Sequence, residues 1–175
     1  HFLGVVIDPS RWANDAPVLE SPRPRVVHAP TNPHVKGTPL IVPTARRLHD
    51  QGVIEFTQLD RIPNEEMPAV LASTDIVLDQ FRVGDYGVAA CESMAGGRLV
   101  LAHVTDQVRQ EVERHAGMQL PVVEATPDTL EDVLRDIAAR PHHYRAVAAD
   151  GPKFVRRLHD GTFSRGVLMD RFLTD

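Results

Sequence analysis

Residues 84–97 read GDYGVAACESMAGG, and they lie between two short apolar runs, DIVLD at residues 75–79 and RLVLAH at residues 98–103. Both runs are rich in β-branched and aliphatic side chains and lack period-2 polarity, the pattern of strands buried on both faces of a parallel sheet. Between them residues 86–94 have helical character, with Val88, Cys91 and Met94 on one face and Glu92 the one charge. A glycine-rich entry into a helix directly after a strand is suited to anions. The first-turn N–H groups lack helical partners, and the helix dipole places partial positive charge there. Glu92 sits further along the helix, where a carboxylate could reach the sugar hydroxyls of a bound nucleotide. This stretch is expected to hold a nucleotide diphosphate group.

Working outward, residues 25–28 (RVVH) read as the first buried strand, followed by a loop and Val35-Lys36-Gly37. Thr38-Pro39 supplies an N-cap and a proline at the first helical position. The helix continues to about Asp50 with Leu40, Ile41, Ala45 and Leu48 inward and a bend expected at Pro43. Residues 53–59 read as a second strand, Asn64 as the cap of a helix ending at Leu71-Ala72, and residues 75–79 as the third strand. After the strand at residues 98–102, Thr105 caps a charged helix reaching His115. A fifth strand at residues 120–123 and a helix at residues 130–139 follow, the latter with Leu130, Val133, Leu134 and Ile137 on one face. Residues 141–172 read as two or three helices interrupted at Gly151-Pro152 and at Gly161.

This alternation predicts an α/β fold: a Rossmann-like parallel sheet with helices on both faces, plus C-terminal helices. Ligands of such sheets bind beyond the carboxyl ends of the strands. Residues 1–24, with Trp12 and prolines at 17, 22 and 24, read as an irregular arm or linker from a preceding domain, and residues 25–175 as the folded domain.

Composition narrows the function classes. The chain has 175 residues, 42% of them apolar but only 5% aromatic, so its core is filled by aliphatic side chains. A net charge of −5 and a pI near 6.0 lack the basic footprint of a nucleic-acid binder. Cys91 is the single cysteine, which rules out an internal disulfide and a Cys-based zinc site. Its place on the apolar helix face reads as a structural thiol. No run approaches the roughly 18 apolar residues of a membrane span. The expectation is a soluble, cytoplasmic protein, and the start at His1 rather than Met suggests a piece of a longer one.

Several polar residues are candidates for chemistry. Lys36, the cation of the first strand–helix loop, reads either as a phosphate ligand or as a solvated lysine. Glu92 reads either as a partnered ligand-facing carboxylate or as a helix-edge acid in water. Asp79 and Asp85 bracket the loop before the central helix and could meet sugar hydroxyls or simply solvent. His28 and His34 have no partners at metal-ligand spacing, so no metal site is expected, and His103, just past a strand end, reads either as a ligand contact or as a structural histidine. Ser93 lies inside the helix rather than on a strand-to-helix elbow, which removes it as a nucleophile. Walker-type and G-x-G-x-x-G patterns are absent.

Taken together, VHAP at residues 27–30, VKGT at 35–38, the 65–78 stretch, the 84–97 run and FVRRLHD at 154–160 resemble the C-terminal, donor-binding domain of a glycosyltransferase of the GT-B fold, family 4-like (glycosyl transferases group 1). The resemblance covers nearly the whole chain from about Val6. It implies retaining hexosyl transfer from a UDP-, GDP- or ADP-sugar to an unknown acceptor, with no cofactor and no obligatory metal. By the same resemblance Lys36 would bind the diphosphate and the backbone amides of Gly87 and Val88 the distal phosphate. Glu92 would hold the ribose, the backbone near Arg61 and Ile62 would line the base, and Gly84 and Tyr86 would complete the donor loop. Two positions depart from the family pattern. Its first glutamate, eight residues before the second, falls on Gly84, with Asp85 beside it as a substitute acid; its arginine, five residues before the lysine, falls on Thr31. The resemblance further implies an N-terminal acceptor-binding domain outside this chain, met by an apolar face at Phe163, Val167, Leu168 and Phe172. The isolated domain would then be inactive or weak. The alternative is a catalytically degenerate nucleotide- or sugar-binding module, and a sugar-nucleotide epimerase is disfavoured for want of an acid pair.

Overall fold

The computed structural model describes residues 2–172, with side chains through residue 170. Five strands form one parallel sheet: β1 (Arg25–His28), β2 (Glu55–Gln58), β3 (Ile76–Leu78), β4 (Leu99–Ala102) and β5 (Val122–Glu124). Their order across the sheet is β2-β1-β3-β4-β5. The chain therefore steps one way from β1 to β2 and the other way from β1 to β3, which makes the carboxyl ends of β1 and β3 the topological switch point. Register follows this order, with Val26 beside Ile76 and Ile76 beside Leu99.

The apolar runs divide by alternation although every position is apolar. Val26, Ile76, Leu78, Leu99 and Leu101 face a core shared with α2 (Thr38–Asp50), α6 (Leu130–Ala139) and part of α7 (Pro141–Leu158). Val27, Val77, Val100 and Ala102 face the opposite core, built with α4 (Val88–Ala95), α5 (Asp106–Ala116) and the rest of α7. Burial on both faces is what forbids polar alternation in the central strands. The edge strand β2 is mostly exposed.

Several local expectations are corrected. The loop after β1 contains a single helical turn, α1 (Pro33–Lys36), capped by the Asn32 side chain and ended by Gly37 at φ +79°. Thr38 opens α2 but does not cap it; its hydroxyl meets His28 Nε2 at 2.8 Å instead. In α2, Ile41, Ala45 and Leu48 are buried as expected, whereas Leu40, about 100° round the helix from Ile41, is half-exposed. The helix continues through Pro43. Asn64 does not cap α3 (Met67–Ala72); its side-chain and backbone oxygens accept from Arg11. Val88 is exposed because the first turn of α4 stands at the sheet's carboxyl edge.

The largest correction concerns α7. It runs unbroken through Gly151-Pro152, and the only interruption in this region is at Gly161 (φ +91°), before α8 (Thr162–Phe172). Gly151 has a packing role: a Cβ there would sit 2.7 Å from the Met94 carbonyl oxygen, so its absence lets α7 lie against the backbone of α4. The face expected on α8 is split. Phe163 packs with Phe2 and His115, Leu168 is exposed, and Phe172 lies outside the described side chains.

The arm at residues 2–24 is irregular, with one 3₁₀ turn at Pro9–Arg11, yet it lies on the domain. Trp12 and Leu19 are buried. Arg98 is itself buried and donates to the carbonyls of Ala16, Pro17, Thr74 and Gly96, while Arg145 donates to those of Val18 and Leu19. Asp75 accepts from the Leu19 and Arg25 amides and pairs with the Arg25 guanidinium; burial alone would raise its carboxyl, but these donors hold it below its ordinary value.

Candidate functional site

The carboxyl ends of β1 and β2 open into a cleft of about 510 Å³ whose walls include Ala29, Thr31, Arg61, Ile62, Ala89 and Glu92. Three segments build it. Pro30 and Thr31 continue from β1, residues 59–62 continue from β2, and Ala89 and Glu92 come from the first two turns of α4. Arg61 holds φ at +53°, a left-handed conformation that is costly for a residue with a Cβ and that concentrates at ligand sites. Glu92 is half-buried, and burial raises its carboxyl above the ordinary value; Arg11 counters this and the charge of Asp79 adds to it.

The helix beside the cleft begins without a side-chain cap. Gly87, extended at φ −122°, stands at the N-cap of α4, and a Cβ there would meet open space. The Cys91 amide is the first to close a helical bond, on the Gly87 carbonyl. First-turn amides therefore face outward beside the wall formed by Ala89 and Glu92. Cys91 is fully buried, and burial pushes its thiol well up, which makes it an inert structural group. Ser93 donates to the Ala89 carbonyl.

Of the residues singled out in the sequence, Arg61, Ile62 and Glu92 meet in this cleft, together with Thr31. The others are placed differently. Lys36 ends α1 and turns inward to form an ion pair with Asp79, just beyond β3; its side chain is 15% exposed and that of Asp79 only 2%. Gly84 is buried at φ +77°, and its carbonyl accepts from both the amide and the hydroxyl of Thr105. A Cβ at Gly84 would lie 2.7 Å from Thr105 Cγ2. The position of the family's first glutamate thus has a backbone that a glutamate could adopt only under strain.

Asp85 and Tyr86 line a second cavity of about 290 Å³, with Phe2, Val5, Val108 and His159 among its other walls. The exposed Asp85 side chain accepts from the Tyr86 amide. Tyr86 is committed by its ring: its hydroxyl is 3.0 Å from His159 Nε2, and it packs edge-on against Phe154. His159 Nδ1 lies 2.8 Å from the Val5 carbonyl, so that nitrogen carries the proton and Nε2 accepts from Tyr86. Tyr86 anchors the loop before α4 to the end of α7 and the N-terminal arm rather than facing the cleft.

The histidines near the strand ends are structural. His28 is buried and, with Nδ1 on the Leu78 carbonyl at 2.7 Å and Nε2 on Thr38, is the neutral tautomer; burial lowers it below its ordinary value. His103 pairs with Glu124, and His34 meets Arg82 at the surface. Sequence reading missed the Lys36–Asp79 pair, the Arg11–Asn64 contact and the Tyr86–His159 link. Each joins residues 43 or more apart in the chain, and no local pattern carries such information.

No protein-family model matches this chain, and no curated protein sequence does. Solved structures do match its shape. The C-terminal domain of a glycosyl transferase group 1 family protein (LpcC) from Francisella tularensis superposes with a TM-score of 0.58 at 15% identity, over 86% of this chain and 96% of that one. Anabaena HepE in complex with UDP-glucose gives 0.64 at 14% identity, over 93% of this chain and 54% of that one. Sucrose-phosphate synthase from Thermosynechococcus elongatus gives 0.67 at 14% identity, over 99% and 52%. The chain spans about half the length of the latter two. Among the described residues no helix is long and apolar enough to cross a membrane. The sheet order and these likenesses together give the chain the fold of the C-terminal domain of the GT-B glycosyltransferases.

Proposed function

We propose that this chain is the donor-binding half of a glycosyltransferase, which takes a hexosyl group from a nucleoside-diphosphate sugar and transfers it with retention. The observation that carries this reading is the cleft beyond β1 and β2, with Glu92 in its wall and the open first turn of α4 beside it. In this reading the base lies against Arg61 and Ile62, and the ribose hydroxyls donate to Glu92. The diphosphate turns toward the amides of Gly87 and Val88 and the ammonium of Lys36. Negative charge develops on the diphosphate as the glycosidic bond breaks, and oriented amides plus a cation stabilise it without reorganising. No metal is needed for that step. UDP is the first nucleotide to try, because the similarly folded HepE was solved with UDP-glucose.

Calorimetric titration with UDP, GDP, ADP and their common sugar conjugates tests this. The expected result is micromolar binding of one nucleotide, weakened about tenfold or more by Lys36→Ala and by Glu92→Ala. The Gly84 backbone at the family's acid position, which a glutamate could adopt only under strain, favours a second reading, a binding module without transfer. That module would bind bare nucleotide as well as its sugar conjugate and would transfer nothing when joined to an acceptor-binding domain.

A further inference from the structure

Asp79 is the one group at the switch point whose bonding is incomplete. Its side chain is 2% exposed, its Oδ1 is paired with Lys36 Nζ, and its Oδ2 is the buried side-chain oxygen without a partner among the described residues. Buried carboxylates are stable only when compensated, and here one ammonium supplies all of the compensation.

The surroundings offer no replacement. From β1, His28 lies within electrostatic range but has both ring nitrogens engaged, by the Leu78 carbonyl and the Thr38 hydroxyl. From α4, the groups facing Asp79 are the Cys91 thiol and the Glu92 carboxyl, whose charges would oppose its own. Gln80 beside it has its side-chain oxygen on the amides of Arg82 and Val83, and Arg82 itself meets His34 at the surface. The amide of Asp79 is spent on the Leu101 carbonyl.

We propose that binding of a phosphate anion at Lys36 moves a proton from solvent onto Asp79, so that anion binding and proton uptake are one event. This rests on the donor-binding reading above. An ammonium has three donors, so Lys36 can swing to the phosphate or share itself between phosphate and Asp79. Either way the buried carboxylate loses part of its only counter-charge and gains a negative neighbour, and both changes favour its protonated form. The neutral acid is also a hydrogen-bond donor, which a phosphate or sugar oxygen can accept. The Lys36–Asp79 pair thus closes the site when empty and exchanges a salt bridge for a proton when filled.

The sign follows from linkage. A complex that holds more protons than its separate parts weakens as pH rises. A UDP-, GDP- or ADP-sugar is the appropriate probe, because its diphosphate has no protonation step near neutral pH to confuse the count. Titrations in buffers of different ionisation enthalpy are expected to show net proton uptake on binding, with affinity falling as pH rises. Asp79→Asn removes the uptake and flattens the profile, whereas His34→Gln leaves the uptake in place. Carboxyl-carbon chemical shifts of the wild-type chain, free and bound, read the same proton should Asp79→Asn not fold. Binding without uptake, uptake that survives Asp79→Asn, or an Asp79 carbon that stays ionised in the complex would overturn the inference alone. Absence of any nucleotide-sugar binding by the wild type would overturn the donor reading and this inference together.

Discussion

Gly84 shows how one residue constrains both loop and chemistry. Its φ of +77° and the 2.7 Å separation between a Cβ and Thr105 Cγ2 leave no room for a side chain. Gly84→Ala is therefore expected to cost about 1–3 kcal/mol from backbone strain and crowding. Adding Thr105→Ser, which deletes the crowding methyl and keeps the hydroxyl on the Gly84 carbonyl, should recover part of the loss in chemical denaturation. An unchanged midpoint for Gly84→Ala would contradict this account of the loop. Replacing Gly84 by glutamate to restore the family's acid meets the same obstacle. Asp85 was the expected substitute, but it lines the second cavity, while Asp79 stands buried beside Lys36.

Elements were legible where a single period decides them and obscured where packing decides. The Leu130, Leu134 and Ile137 stripe gives α6, and the uninterrupted apolar runs give β3 and β4, because burial leaves a periodic record in the sequence. Gly151-Pro152 reads locally as a break, yet α7 passes through it because the missing Cβ is used for contact with α4. Gly151→Ala should thus destabilise by about 1–3 kcal/mol although alanine is the better helix former, since the new methyl meets the Met94 carbonyl. Stabilisation by that substitution, measured by thermal or urea unfolding, would mean that the helices do not lie this close. The cleft was partly legible in the same sense. Glu92 and residues 61–62 follow from their places after strands and on the central helix, but the inward turn of Lys36 depends on Asp79 across the switch point.

At the scale of the molecule, two buried neutral histidines tie distant parts together, His28 across β1, β3 and α2, and His159 between α7, Tyr86 and the arm. Burial holds both below the ordinary value of 6.5, so the unfolded chain takes up protons first as pH falls. Their contribution to stability is complete above 6.5 and is lost as pH drops through the depressed folded values. The melting temperature should fall with acid below that point, and the fall should be shallower in His159→Gln. The proposed donor site, however, is defined by a place: the nucleotide is expected beyond β1 and β2, against α4. Amide chemical-shift mapping of the isotope-labelled chain with a nucleotide sugar tests it most directly. The prediction is that perturbed amides concentrate at residues 29–31, 59–62 and 87–92. Perturbations centred on residues 2–5 and 107–112 around the second cavity, or none at saturating concentrations of every donor tried, would contradict it.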